Sequence, residues 1–161
     1  METSFIITAI EENFQHLFDK TADELSKIGA KRMTVDSRPG FPCRVSLEDA
    51  YVNEEVILLP YEHHKVNTPY RSSGPIFVRQ NAIKAVLEIN EIPLMLEHRL
   101  LSLRIYDESG MMIDAKTTMG HELKRQIKLI FNNKKANYIH VHNAAPGCFN
   151  CQINRVKKNV V

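Results

Sequence analysis

The sequence predicts an α+β protein: a mainly antiparallel sheet with its helices packed mostly on one face. Short runs rich in β-branched residues are separated by turn residues. Leu101, Leu103 and Ile105 alternate with Ser102, Arg104 and Tyr106 ahead of a hairpin loop at residues 107–110. Clear helical spacing over a long stretch is confined to residues 121–132. A parallel sheet, with crossovers through helices near residues 82 and 123, stays open at this level.

Each element has its own signal. Residues 5–10 are dense in β-branched side chains and read as a first, buried strand. Phe14, Leu17 and Phe18 share one face of a short helix. Thr21 and Glu24 make a capping box for a second helix carrying Leu25 and Ile28, which Gly29 closes. Two prolines and a glycine within residues 38–42 require an ordered loop, and Cys43 and Arg44 emerge from it. Residues 55–60 are apolar on both faces, the pattern of a central strand, whose end delivers Tyr61, His63 and His64. A loop containing Tyr70 and Arg71 leads into a strand at 76–79. Ala82, Ile83, Val86 and Leu87 then predict one side of a helix that Pro93 ends. The hairpin returns through residues 111–115, and the 121–132 helix sets Leu123, Ile127, Ile130 and Phe131 opposite Lys124, Arg125 and Lys128. Residues 138–142 read as a strand, 144–147 as a turn and 151–156 as a last strand before a basic tail expected to fray.

With 161 residues, 43% hydrophobic and 25% charged, the chain is expected to form a single domain over residues 1–161 without disulfide staples. Twenty-one basic against nineteen acidic side chains leave a charge of +2, too little to favour a nucleic-acid partner. Charged residues interrupt every apolar run, so no membrane span is expected. Three cysteines, an odd number, argue against a secreted disulfide framework and for a cytoplasmic location. The first ten residues lack a basic region, and the apolar stretch ends at Glu11, so no signal peptide is expected. No oligomeric state can be read from the pattern.

The stretch 138–151 holds the densest chemistry. On a strand, Ile139 and Val141 face one way while Tyr138, His140 and His142 face the other, with the two histidine Cα atoms roughly 6.6 Å apart. Two imidazoles so placed can converge on a metal ion such as zinc or on an anionic ligand, or can simply hydrogen-bond across a polar sheet face. One of His63 and His64, adjacent residues that face apart on an extended chain, is expected to join them, with His63 as the third metal ligand. Cys148 and Cys151 form a C-x-x-C pair, but a strand-like segment follows instead of a helix, and no second pair completes a zinc site. Small buried hydrophobes are the alternative reading for these cysteines. Arg44, Arg71, Arg79 and Arg104 stand at strand ends or non-core positions near Ser and Gly, equipment either for gripping a carboxylate or phosphate or for ordinary ion pairs. Phosphate-binding, dinucleotide-binding, hydrolase-elbow and zincin motifs are absent from the sequence.

Residues 39–50 (Pro-Gly-Phe-Pro-Cys-Arg-Val-Ser-Leu-Glu-Asp-Ala), 73–79 (Ser-Gly-Pro-Ile-Phe-Val-Arg), 101–107 (Leu-Ser-Leu-Arg-Ile-Tyr-Asp) and 139–144 (Ile-His-Val-His-Asn-Ala), with Gly147, Cys148 and Phe149, resemble a bacterial family catalogued as domain of unknown function 1203. The resemblance spans nearly the whole chain and implies no activity, cofactor or catalytic residue. It sets Cys43, Arg44, Tyr70, Gly74, Pro75, Arg79, Arg104 and residues 140–143 inside the family's motif blocks, and ranks Cys148 ahead of Cys151. Together these readings predict a small enzyme with Cys148, His142, His140 and Cys43 as catalytic candidates. Arg44, Tyr70, Arg79, Arg104 and Asn143 are the candidates for holding an anionic small-molecule substrate. A divalent metal such as zinc would sit on His140, His142 and His63; without metal, a cysteine thiolate would attack with histidine help. The alternatives are a non-catalytic module that binds a phosphate- or carboxylate-bearing ligand, and an interaction protein.

Overall fold

Among the described residues the chain folds into eight strands and three short α-helices, two of which pack on one face of the larger sheet. The computed structural model describes residues 3–157; the basic tail beyond them lies outside the described residues. In chain order the elements are β1 (Phe5–Thr8), α1 (Ala22–Lys27), β2 (Lys31–Thr34), β3 (Glu55–His64), β4 (Ser72–Arg79), α2 (Leu94–Glu97), β5 (Leu100–Tyr106), β6 (Met112–Met119), α3 (Leu123–Ile130), β7 (Tyr138–Asn143) and β8 (Phe149–Arg155). Five strands form one sheet in the order β1-β8-β7-β5-β6, and β2-β3-β4 form a second. All strand pairs are antiparallel, which closes the parallel option; the parallel contact among the described residues is an isolated bridge from Cys43 to Phe77. No helix among the described residues is long and apolar enough to cross a membrane.

The five-stranded sheet has two unlike faces because side chains alternate along most of its strands, with irregularities at Ile105–Tyr106 and Val141–His142. Phe5, Ile7, Leu101, Leu103, Ile105, Ile139, Val141, Cys151 and Ile153 form one face and pack against Met95 and Leu96 of α2 and Leu123, Ile127 and Ile130 of α3. Burying each such side chain contributes about 1.5–3 kcal/mol. The opposite face carries Tyr138, His140 and His142, and it is covered by the second sheet rather than by water. Ile57, Leu59, Ile76 and Val78 of that sheet join Cys43 and Phe149 in a second apolar cluster, while Val56 packs on the far side with Val35, Phe41 and Ala50. So β3 is apolar on both faces and central, as its composition predicts.

Local signals hold where they are chemical. The box between Thr21 and Glu24 caps α1, Gly29 sits at φ 73° just past its end, and the hairpin turns at residues 107–110, with a register shift between Ile105 and Tyr106. The predicted helix over 82–87 does not form. Ile83 and Val86 are 84% and 91% exposed, and the Ala85 amide donates to the Val45 carbonyl instead of to a helical turn. Pro93, read as a stop, is the N-cap of α2. The short strand β2, with only Met33 apolar among its four residues, is not legible in the pattern and is held by pairing with β3.

Candidate metal centre

Register between neighbouring strands builds this site. In β7, His140 lies directly opposite Arg104 of β5 and Gln152 of β8, and His142 lies opposite Ser102, so all these side chains share the face turned toward the second sheet. From that second sheet, alternation along β3 turns Ile57, Leu59, Tyr61 and His63 to the same side. A bulge between Tyr61 and His64 adds one residue to β3 relative to β4. It re-aims the strand end, so that His64, which strict alternation would send outward, is also buried and packs its ring 4.9 Å from that of His140.

Three imidazoles converge between the sheets. One ring nitrogen from each of His63, His140 and His142 lies within 4.8 Å of the others. The His63 ring stands 4.9 Å from His142 and 6.0 Å from His140, and is stacked on Phe149 at 5.1 Å with planes 7° apart. His142 donates its Nδ1–H to the Gly147 carbonyl at 2.9 Å, which leaves Nε2 as a bare lone pair. His140 Nε2–H donates to Gln152 Oε1 at 2.9 Å, and the Gln152 amide nitrogen donates in turn to Asn154 Oδ1, so the amide orientation and the tautomer support each other. His63 Nδ1, His140 Nδ1 and His142 Nε2 are buried and have no hydrogen-bond partner among the described residues. An unsatisfied buried polar atom costs about 1–3 kcal/mol, and here three sit together.

Burial also fixes their charge. Desolvation lowers His140 and His142 from 6.5 to about 3, with smaller opposing effects from the Gln152 and Gly147 hydrogen bonds. It lowers His63 to about 4, aided by the Arg104 and His64 charges. All three are neutral at pH 7, the form in which imidazole ligates a metal. A tetrahedral ion with bonds of about 2.0–2.1 Å brings its nitrogens to about 3.3 Å apart, closer than the 4.8 Å that bounds the present group. His63, Tyr61, Phe149 and Gln152 border a cleft of about 320 Å³ on the side of β1 and β8, which reaches His63 but not His140 or His142.

The other predicted residues fall in two groups. Arg104 is half-buried on the site face and makes no hydrogen bond and no ion pair among the described residues. By contrast, Arg79 is engaged by Glu54 and Glu48, which hold its guanidinium well above its ordinary value, and exposed Arg71 pairs with Glu62. Arg44 is fully buried and donates to the carbonyls of Phe149 and Pro42 and to Cys148 Sγ at 3.1 Å. Asn143 also donates to Cys148, at 3.3 Å, and accepts from Asn150. The Tyr70 carbonyl accepts from His64 Nδ1, while His64 Nε2 accepts from the Tyr138 hydroxyl at 2.6 Å. Cys43 is a core residue whose sulfur accepts the Arg79 amide, and Cys151 lies on the helix-covered sheet face, where burial pushes its thiol up to about 12. Among the described residues no cysteine sulfur joins the imidazole group, and the C-x-x-C pair splits between separate environments. Gln152 was not singled out in the sequence; only its register opposite His140 reveals it.

Fold and site together define a two-sheet antiparallel α+β protein that buries three neutral imidazoles between its sheets. The chain belongs to the family described as protein of unknown function (DUF1203), whose model matches residues 40–155, a span that includes every residue of the centre. No curated protein and no solved structure matches the chain.

Proposed function

We propose that the protein is a small metal-dependent enzyme, working in a bacterial cytoplasm, whose centre is a divalent ion, zinc by preference, on His63, His140 and His142. The observation that supports this reading is the convergence of His63, His140 and His142: one ring nitrogen of each comes within 4.8 Å of the others, and each ring carries a buried nitrogen without a partner among the described residues. Three protein ligands plus an open fourth position is the arrangement of catalytic zinc; structural sites close all four. Ligands whose second nitrogen is tied to a carbonyl or amide oxygen are the usual form of such centres, and both β7 histidines have this support. In the open position an ion lowers the pKa of bound water toward about 7 or polarises a substrate oxygen. The chain's own part is to keep the imidazoles neutral, hold two of them in one tautomer and leave a cleft at His63.

The test is metal content and affinity. Protein prepared without a histidine tag is expected to bind one zinc or cobalt per chain and to lose at least 100-fold in affinity in His142→Ala, with a parallel loss of the metal-dependent rise in Tm. At a hundredfold excess over Kd that rise corresponds to about 2.7 kcal/mol. A wild-type protein that binds no divalent ion above the level of His142→Ala overturns the reading.

A further inference from the structure

The charge around the centre determines what it can accept. Three neutral imidazoles cancel none of the charge on a divalent ion. No carboxylate belongs to the ligand group, and the side-chain charges acting on these rings are cationic: Arg104 on His63 and His142, and Arg44 on His142. Glu11, Glu12 and Glu62, which border the cleft, are already held, the first by Lys84, the second by Lys65 and the Tyr61 hydroxyl and the third by Arg71. Arg44 spends its donors on two carbonyls and a sulfur. Arg104 has spent none among the described residues: it is a half-buried guanidinium with no described acid paired to it, one strand over from His140 and directly opposite it in the ladder. Opposed residues in antiparallel strands have Cβ atoms about 4.5–5.5 Å apart, so Arg104 and His140 rise side by side from the same sheet face. A dication and a guanidinium in partly excluded water, with no acid among the described residues paired to either, leave an unbalanced positive field.

Resting on the metal reading above, we infer that the centre takes a small oxyanion, a carboxylate or phosphate group, with one oxygen in the open metal position and the others on Arg104. With one oxygen on the ion, a phosphate keeps at least two oxygens for the guanidinium fork and a carboxylate keeps one, and these charge-assisted bonds select anionic substrates over neutral ones of the same shape. Arg104 is therefore a substrate-holding residue, and the other arginines of the sequence reading serve the fold.

Cobalt-loaded protein tests this, because a tetrahedral cobalt centre reports its fourth ligand in its visible bands. Inorganic phosphate and acetate are titrated separately at constant ionic strength against the wild type, Arg104→Gln, Arg104→Lys and the control Arg125→Gln, an exposed residue paired with Glu122 away from the cleft. The expected result is saturable band changes in the wild type and in Arg125→Gln with at least one of the two anions, a half-saturation raised tenfold or more in Arg104→Gln, and an intermediate value in Arg104→Lys. Cobalt affinity is expected to stay within about twofold in all four proteins. The stronger of the two anions identifies the substrate group. Bands that form but ignore both anions, or respond equally in Arg104→Gln, overturn the inference and leave the metal reading standing; absence of cobalt binding in the wild type overturns both.

Discussion

Gln152 shows how a residue remote from any reacting atom can govern a centre. Its Oε1 takes the His140 Nε2–H, and its own amide is fixed by Asn154. Replacing it with leucine frees the imidazole to rotate and strands a buried N–H. Zinc affinity measured by chelator competition is expected to fall about 10- to 100-fold in Gln152→Leu, and Gln152→Glu, which still accepts that proton, is expected to restore most of it. A purely structural role would lower Tm in both variants and leave affinity alone. Such a positioning residue was hidden in the sequence because its meaning depends on pairing across strands, whereas the His140 and His142 pair was visible at once from period two within one strand.

At the scale of elements, chain-local chemistry was the readable part. The capping box, the 107–110 hairpin and the doubly apolar β3 depend on neighbours a few residues away, and each forms where the pattern puts it. The 82–87 segment does not follow its pattern, since the Ala85 amide bonds the Val45 carbonyl instead of its own turn, and its apolar spacing buries Ala82, Ala85 and Leu87 only in part. The bulge in β3 was equally out of reach: one inserted residue, defined only against β4, brings His64 inward beside His140. One contact between elements makes a sharp prediction. At Gly120, where β6 meets the turn before α3, an added Cβ would fall 1.7 Å from the Leu96 carbonyl oxygen of α2. Backbone cannot yield as a side-chain tip does, so Gly120→Ala is expected to destabilise by about 3 kcal/mol or more in urea unfolding, in the range of severe overpacking. A change below about 1 kcal/mol would show that α2 can shift freely against the sheet.

For the whole molecule, burying imidazoles between two sheets ties stability to acidity. His140 and His142 take up protons only near pH 3 when folded, but near 6.5 when unfolded. Between those values the unfolded chain binds more protons, so the stability of the metal-free protein is expected to be full above about pH 6.5 and to drop steadily as the pH falls toward 3. Denaturant midpoints at several pH values check this, and His140→Phe, which removes one titrating ring, is expected to flatten the slope. A slope unchanged by that substitution would assign the acid sensitivity to other groups.

The centre is also divided along the chain, one imidazole in β3 and two in β7, nearly eighty positions later. During synthesis the earlier histidine leaves the ribosome long before its companions, at rates of about 5–20 residues per second. A growing chain therefore exposes a lone imidazole for several seconds, too weak a trap to select among ions. On the proposed metal reading, discrimination would begin only once the two sheets close on each other, so that cargo would be chosen by a finished cage instead of a nascent strand.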